Sequence, residues 1–134
     1  MLKENFKNQL IKYQFKFLES EKSFRIKLGS CQEILVVFTS DNKISIEDKL
    51  TKWNPLSGIL KMSLRNAMIF QSISIFLFWL LFLIVFSILK FDIEYFEFAT
   101  MVLVGSWGFV IFWGTYYLIK LENFKRTLIN WLDE

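Results

Sequence analysis

Histidine is absent from the 134 residues, which removes Ser-His and Cys-His nucleophile pairs, His-containing zinc sites and the most frequent general base together. Carboxylates are left as the groups able to move a proton. Asp92, Glu94 and Glu97 lie in the acidic stretch KFDIEYFE beside Lys90, the setting of a solvated surface rather than of a tuned acid–base pair. Asp41 falls in a turn, and Glu47 with Asp48 ends a strand-like run. The single cysteine, Cys31, admits no intrachain disulfide and reads as a packing residue. Gly29, Gly58, Gly105, Gly108 and Gly114 are scattered, so no glycine-rich loop follows a strand to cradle phosphate. The sequence therefore reads as a non-enzyme, with no catalytic set, no cofactor site and no metal site.

Polar side chains stand out instead where hydrocarbon surrounds them. Ala67, Gln71 and Ser74 share one face of an otherwise apolar run, and Ser106 and Gly114, eight apart, share a face of a second run, with Gly105 and Gly108 close by. Small residues let helices approach closely, and a glutamine bonded across helices in a bilayer contributes roughly 0.6 to 2 kcal/mol. These residues either pack a hairpin together or line a subunit interface or a narrow polar lumen. Neither run holds an ionisable residue deep inside it, so the usual signature of proton relays and ion-coupled transport is missing.

The runs that carry them extend from Asn66 to Leu89 and from Phe98 to Ile119, 24 and 22 residues without a charge. About 20 apolar residues suffice to cross a hydrocarbon core of roughly 30 Å. Both are expected to be transmembrane helices, joined by an external loop over 90–97. Lys49, Lys52, Lys61 and Arg65 precede the first span and Lys120, Lys125 and Arg126 follow the second, which places both termini in the cytoplasm of a bacterial inner membrane or its equivalent. Trp53, Lys61, Arg65, Tyr116, Tyr117, Lys120 and Trp131 are the expected membrane-interface anchors.

The net charge of +3 is concentrated, not spread: the residues before Asn66 carry twelve cations against seven carboxylates. Lysines interleaved with Glu4, Glu19, Glu21, Asp41, Glu47 and Asp48 do not form a nucleic-acid footprint, whereas anionic headgroups need only a few cations beside the membrane. The partners implied are the lipid bilayer and further membrane subunits, with no nucleic acid. MLKENFKNQLIKYQF has neither an apolar core nor a small-residue cleavage site, so the first span itself is expected to address the chain to the membrane.

In chain order, Leu2, Phe6 and Leu10 mark a short amphipathic helix over Leu2 to Ile11. From Tyr13 the period becomes two. Tyr13, Phe15 and Phe17 form one strand; Phe24, Ile26 and Leu28 a second; the continuous run Glu33 to Thr39 a central strand covered on both faces; and Lys43 to Glu47 a fourth, after a turn at Asp41-Asn42. One four-stranded sheet is too small to leave its apolar face open. Its cover is expected from the N-terminal helix, the C-terminal tail or an identical subunit.

Asn54 and Pro55 read as cap and first residue of an interfacial elbow over 55–65, and Leu121, Phe124, Leu128 and Trp131 as the stripe of an amphipathic tail over 120–134. The fold class expected is a membrane α+β protein: a cytoplasmic antiparallel β-meander with a short helix over 1–54, then a transmembrane hairpin (66–89 and 98–119) and a helical tail. The expected function is assembly with itself or with a larger membrane complex. A membrane-perturbing or pore-forming subunit gated through the β module, with Gln71, Ser74, Ser106, Gly108 and Gly114 toward a lumen, is the second expectation, and a lipid-binding module the third.

Overall fold

The structure is a computed structural model that describes residues 2–39 and 43–133, so the turn expected at Asp41-Asn42 lies outside the described residues. Three helices and one sheet follow in the order α1 (Leu2–Lys12), β1 (Lys16–Glu19), β2 (Ser23–Lys27), β3 (Gln32–Phe38), β4 (Ile44–Leu50), α2 (Leu64–Leu89) and α3 (Ile93–Asp133). The strands form an antiparallel meander, β1-β2-β3-β4.

The sheet's registers explain its faces. Phe24 opposes Val36 and Ile26 opposes Ile34, which stacks the apolar side chains on one side. All four are fully buried. The strand β3 differs from expectation: Gln32, Ile34 and Val36 are buried, but Leu35 and Val37 are only partly covered. Its continuous apolar run reflects β-branched propensity, because helices lie on just one face of the sheet. The first strand begins at Lys16 rather than Tyr13, since α1 continues to Lys12 and Gln14 turns the chain with φ 57°. Tyr13 thereby leaves the sheet and stacks on Trp131, 5.2 Å between ring centroids.

The apolar face is closed from within. Two of the three expected covers act together: Phe6 and Leu10 of α1, and Leu121, Phe124, Leu128 and Trp131 of α3, form one buried cluster with the sheet. Edge-to-face aromatic contacts tie the layers, Phe6 on Phe24 at 5.3 Å and Phe15 on Phe124 at 5.3 Å.

The elbow is not helical. Asn54 is 1% exposed; its side-chain oxygen accepts from the backbone N–H of Leu56 at 3.0 Å and Ser57 at 2.9 Å, and its amide donates to Ser57 Oγ at 2.8 Å. This is an Asx turn, which competes with a helix start by satisfying the same donors locally. The α2 helix starts instead after Ser63, whose hydroxyl accepts from Asn66 N–H. Asp48 on β4 accepts from Leu64 N–H at 2.8 Å, so a carboxylate of the sheet neutralises a second orphan donor at the positive end of the helix.

The α2 and α3 helices differ from the expected spans at their ends. The link between them is three residues, 90–92, with Lys90 in the left-handed conformation as C-cap. Glu94 and Glu97 belong to the first turns of α3, where carboxylates are favourable. The tail is no separate element: α3 runs unbroken for 41 residues, about 61 Å. Both helices are long and apolar enough to cross a membrane, and only 6% of the apolar window of each is buried.

Candidate functional site: the cleft between the two apolar helices

Side chains at both ends hold α2 against α3, and a cleft opens along one flank between them. At the end nearest the sheet, Gly114 leaves room for Met68, whose Cε lies 2.7 Å from where a Cβ would stand. At the far end Phe86 and Phe96 meet at 5.5 Å. The cleft encloses about 720 Å³, and Gln71, Ser74 and Trp79 of α2 and Ser106 of α3 lie among its phenylalanines and aliphatic residues. Gln71, Ser74, Phe78 and Phe82 recur at helical spacing, as do Ala99, Leu103 and Ser106 opposite.

The polar groups differ in what they still need. Ser74 donates to the Phe70 carbonyl and Ser106 to the Val102 carbonyl, both at 2.8 Å, so each hydroxyl is satisfied by its own helix. The indole N–H of Trp79 is shut off from solvent and has no acceptor among the described residues. An orphan donor in an apolar setting costs about 1–3 kcal/mol.

Of the packing or lumen residues expected from sequence, Gln71, Ser74 and Ser106 are brought to this cleft. Gly114 is placed in the helix–helix contact, and Gly108 stands in open space on α3. Trp79 lies eight residues from Gln71, about two helical turns along α2, and an indole within an apolar run carries no polar signal in the sequence.

The interface residues divide in the same way. Trp53 is 70% exposed, Lys61 and Arg65 are exposed, and Lys120 lies over the Tyr116 ring at 4.8 Å. Two others point inward. Tyr117 is buried with its hydroxyl 3.2 Å from Cys31 Sγ, and its carbonyl accepts from Gln32 Nε2 at 3.1 Å. Trp131 is buried against Phe6, Tyr13 and Phe124. Their aromatic character answers to the sheet–helix core, which the sequence alone cannot separate from an interfacial belt.

Among the described residues no group of three or more metal-ligating side chains forms. Compared with family models, with curated proteins and with solved structures, the chain matches none, and its site is therefore read from geometry alone.

Proposed function

We propose that this chain is a non-catalytic two-span membrane protein that assembles with a further transmembrane helix, from a second copy or from another subunit, through the α2–α3 cleft. The carrying observation is the cleft itself, where Gln71, Ser74 and Ser106 stand among apolar side chains. The low burial of both helices supports the bilayer setting, since the core helix of a soluble protein is covered along most of its length. Lys61, Arg65, Lys120, Lys125 and Arg126 gather where α2 begins and α3 leaves it, while the 90–92 link lies at the opposite end. That asymmetry supports cytoplasmic termini.

Closure of the sheet from within moves the assembly surface from the β module, where an open apolar face would have called for a partner, to the hairpin. A lumen is the weaker reading, because apolar side chains dominate the cleft and a constriction so lined excludes water.

The test is the mass distribution of protein extracted in native lipid nanodiscs, for wild type and for Gln71→Leu. Loss of interhelical hydrogen bonds worth roughly 0.6 to 2 kcal/mol should weaken association about 3- to 30-fold. A wild-type chain that is monomeric at all densities, with no companion chain, refutes the proposal. Collapse of membrane potential on expression, relieved by Gln71→Leu, would establish the pore instead.

A further inference from the structure

One end of the sheet gathers lysines around a hollow. The β2–β3 turn, the end of β4 and the start of the elbow lie together at the level where both apolar helices meet the module: Leu50 N–H donates to the Met62 carbonyl at 2.7 Å, two residues before α2, and Cys31 and Gln32 contact Tyr117 of α3. There Lys16, Lys27 and Lys52 surround a hollow of about 470 Å³, with Glu33 as its one carboxylate and Gly29 and Ser30 as its floor. Cross-strand register sets the first part of this arrangement, with Lys16 opposite Lys27 and Lys27 opposite Glu33.

A fourth cation, Lys120 of α3, stands next to Gly29 at the edge of this hollow and not in its lining. The Lys120 ammonium stands 3.3 Å from the position a Cβ would take on Gly29, whose φ of +146° only glycine adopts readily. Among the described residues none of these four lysines forms an ion pair, whereas Lys3, Lys7 and Lys125 elsewhere do. Like charges set side by side are destabilising, and four of them beside Glu33 leave a positive excess that no ion pair among the described residues neutralises.

The neighbouring surface points to the same occupant. Trp53 next to Lys52 is 70% exposed, and Ile59 on the same elbow is 79% exposed. Both stand out from the Asx turn, with Asn54 and Leu56 buried beneath them. An indole and an aliphatic side chain beside a lysine cluster match a headgroup–acyl boundary, with phosphate outside and hydrocarbon within.

We infer that Lys16, Lys27, Lys52 and Lys120, at the Gly29–Ser30 turn, bind the phosphate of an anionic phospholipid headgroup in the cytoplasmic leaflet, with Trp53 and Ile59 seated in the bilayer beside it. The binding fixes the sheet against the membrane. It rests on the bilayer crossing proposed above.

The experiment is retention of phosphatidylglycerol, against phosphatidylcholine, by full-length protein in nanodiscs of mixed composition, read by native mass spectrometry. Lys16, Lys27 and Lys52 are replaced together by Gln; Lys22→Gln with Lys43→Gln, at the opposite end of the sheet, is the control. Each juxtamembrane lysine strengthens anionic-lipid binding about fivefold, so the triple variant should lose roughly 100-fold and the control less than about fivefold. Lys27→Gln alone, expected to lose about fivefold, serves if the triple variant misfolds. Equal retention by wild type and the triple variant, or by wild type and Lys27→Gln, overturns the site, as does inorganic phosphate that competes at the same concentration as the lipid. Protein stripped from membranes by alkaline carbonate overturns the bilayer crossing itself; protein that stays inserted yet shows no anionic preference overturns the headgroup site alone.

Discussion

Leu128→Ala should open the module of sheet and α1, although the substitution lies in the same helix as the apolar hairpin. Leu128 is 1% exposed, within the cluster that joins α3 to α1 and the sheet. Truncating a leucine so enclosed costs about 2–5 kcal/mol, the lost transfer of the removed carbons plus the cavity left behind. That is a large part of the roughly 5–15 kcal/mol available to a small domain. Its neighbour Ile129 is 53% exposed and supplies the matched control, for which a change within about 0.5 kcal/mol is expected. The assay is hydrogen exchange at the β3 amides of Ile34 and Val36 in the full-length protein. These lie on the central strand and report opening of the whole module. Their exchange should accelerate roughly 30- to several-thousand-fold in Leu128→Ala and remain near wild type in Ile129→Ala. Unchanged protection in Leu128→Ala, or equal loss in both variants, would refute the claim that α3 completes the sheet.

Asn54→Ala leaves the buried N–H groups of Leu56 and Ser57 without their acceptor, at roughly 1–3 kcal/mol, and should make the elbow the first site of limited proteolysis. Asp48→Ala removes the carboxylate from the first turn of α2 and should cost about 0.5–2 kcal/mol, seen as a lowered unfolding midpoint; Asp48→Asn, which keeps an acceptor, should restore part of it. The Lys7 ammonium, hydrogen-bonded to Glu19 at 2.6 Å, holds that carboxyl below its ordinary value of 4.5, so the tie between α1 and β1 is complete above that value and is lost as pH falls through the lower, folded one. Glu19→Gln should accordingly narrow the difference in melting temperature between pH 7 and pH 3; an unchanged difference would mean that Glu19 does not couple α1 to the sheet.

The parts of this architecture that could be read from sequence are those in which one physical term dominates. Twenty-four and 22 uncharged residues leave little doubt about two long apolar helices, and alternation of Phe24, Arg25, Ile26 and Lys27 fixes a half-buried strand. Legibility failed where two signals of equal strength compete. At Asn54-Pro55 a helix cap and an Asx turn use the same side-chain oxygen, and the choice falls to Leu56, which is buried in the core and bends the chain into the turn. At Ile119 the change from apolar to amphipathic composition suggests a boundary, but no helix-breaking residue stands there and the backbone continues. The cleft was half legible: Gln71, Ser74 and Ser106 announce themselves as polar, while the orphan indole of Trp79 emerges only once its surroundings are known.

The unbroken α3 helix places the cleft and the sheet in one mechanical phase. Ala99, Leu103 and Ser106 border the cleft, Val110 and Gly114 are buried beyond it, and Tyr117, Leu121, Phe124, Leu128 and Trp131 enter the module core. Successive members are three or four residues apart along the whole series, so they fall on a single stripe of one helix. A rotation of α3 that turned Ser106 away from the cleft would carry Phe124 and Leu128 out of their contacts with the sheet. The other connection is of a different kind, since the chain enters α2 through a non-helical elbow pinned by Asp48 and by the Leu50–Met62 pairing. Displacement of α3 by a partner seated in the cleft therefore has one rigid route into the module and one articulated route out of it. Because the lysine-lined hollow lies at the junction of the two, lipid bound there would resist movement of the sheet as α3 shifts.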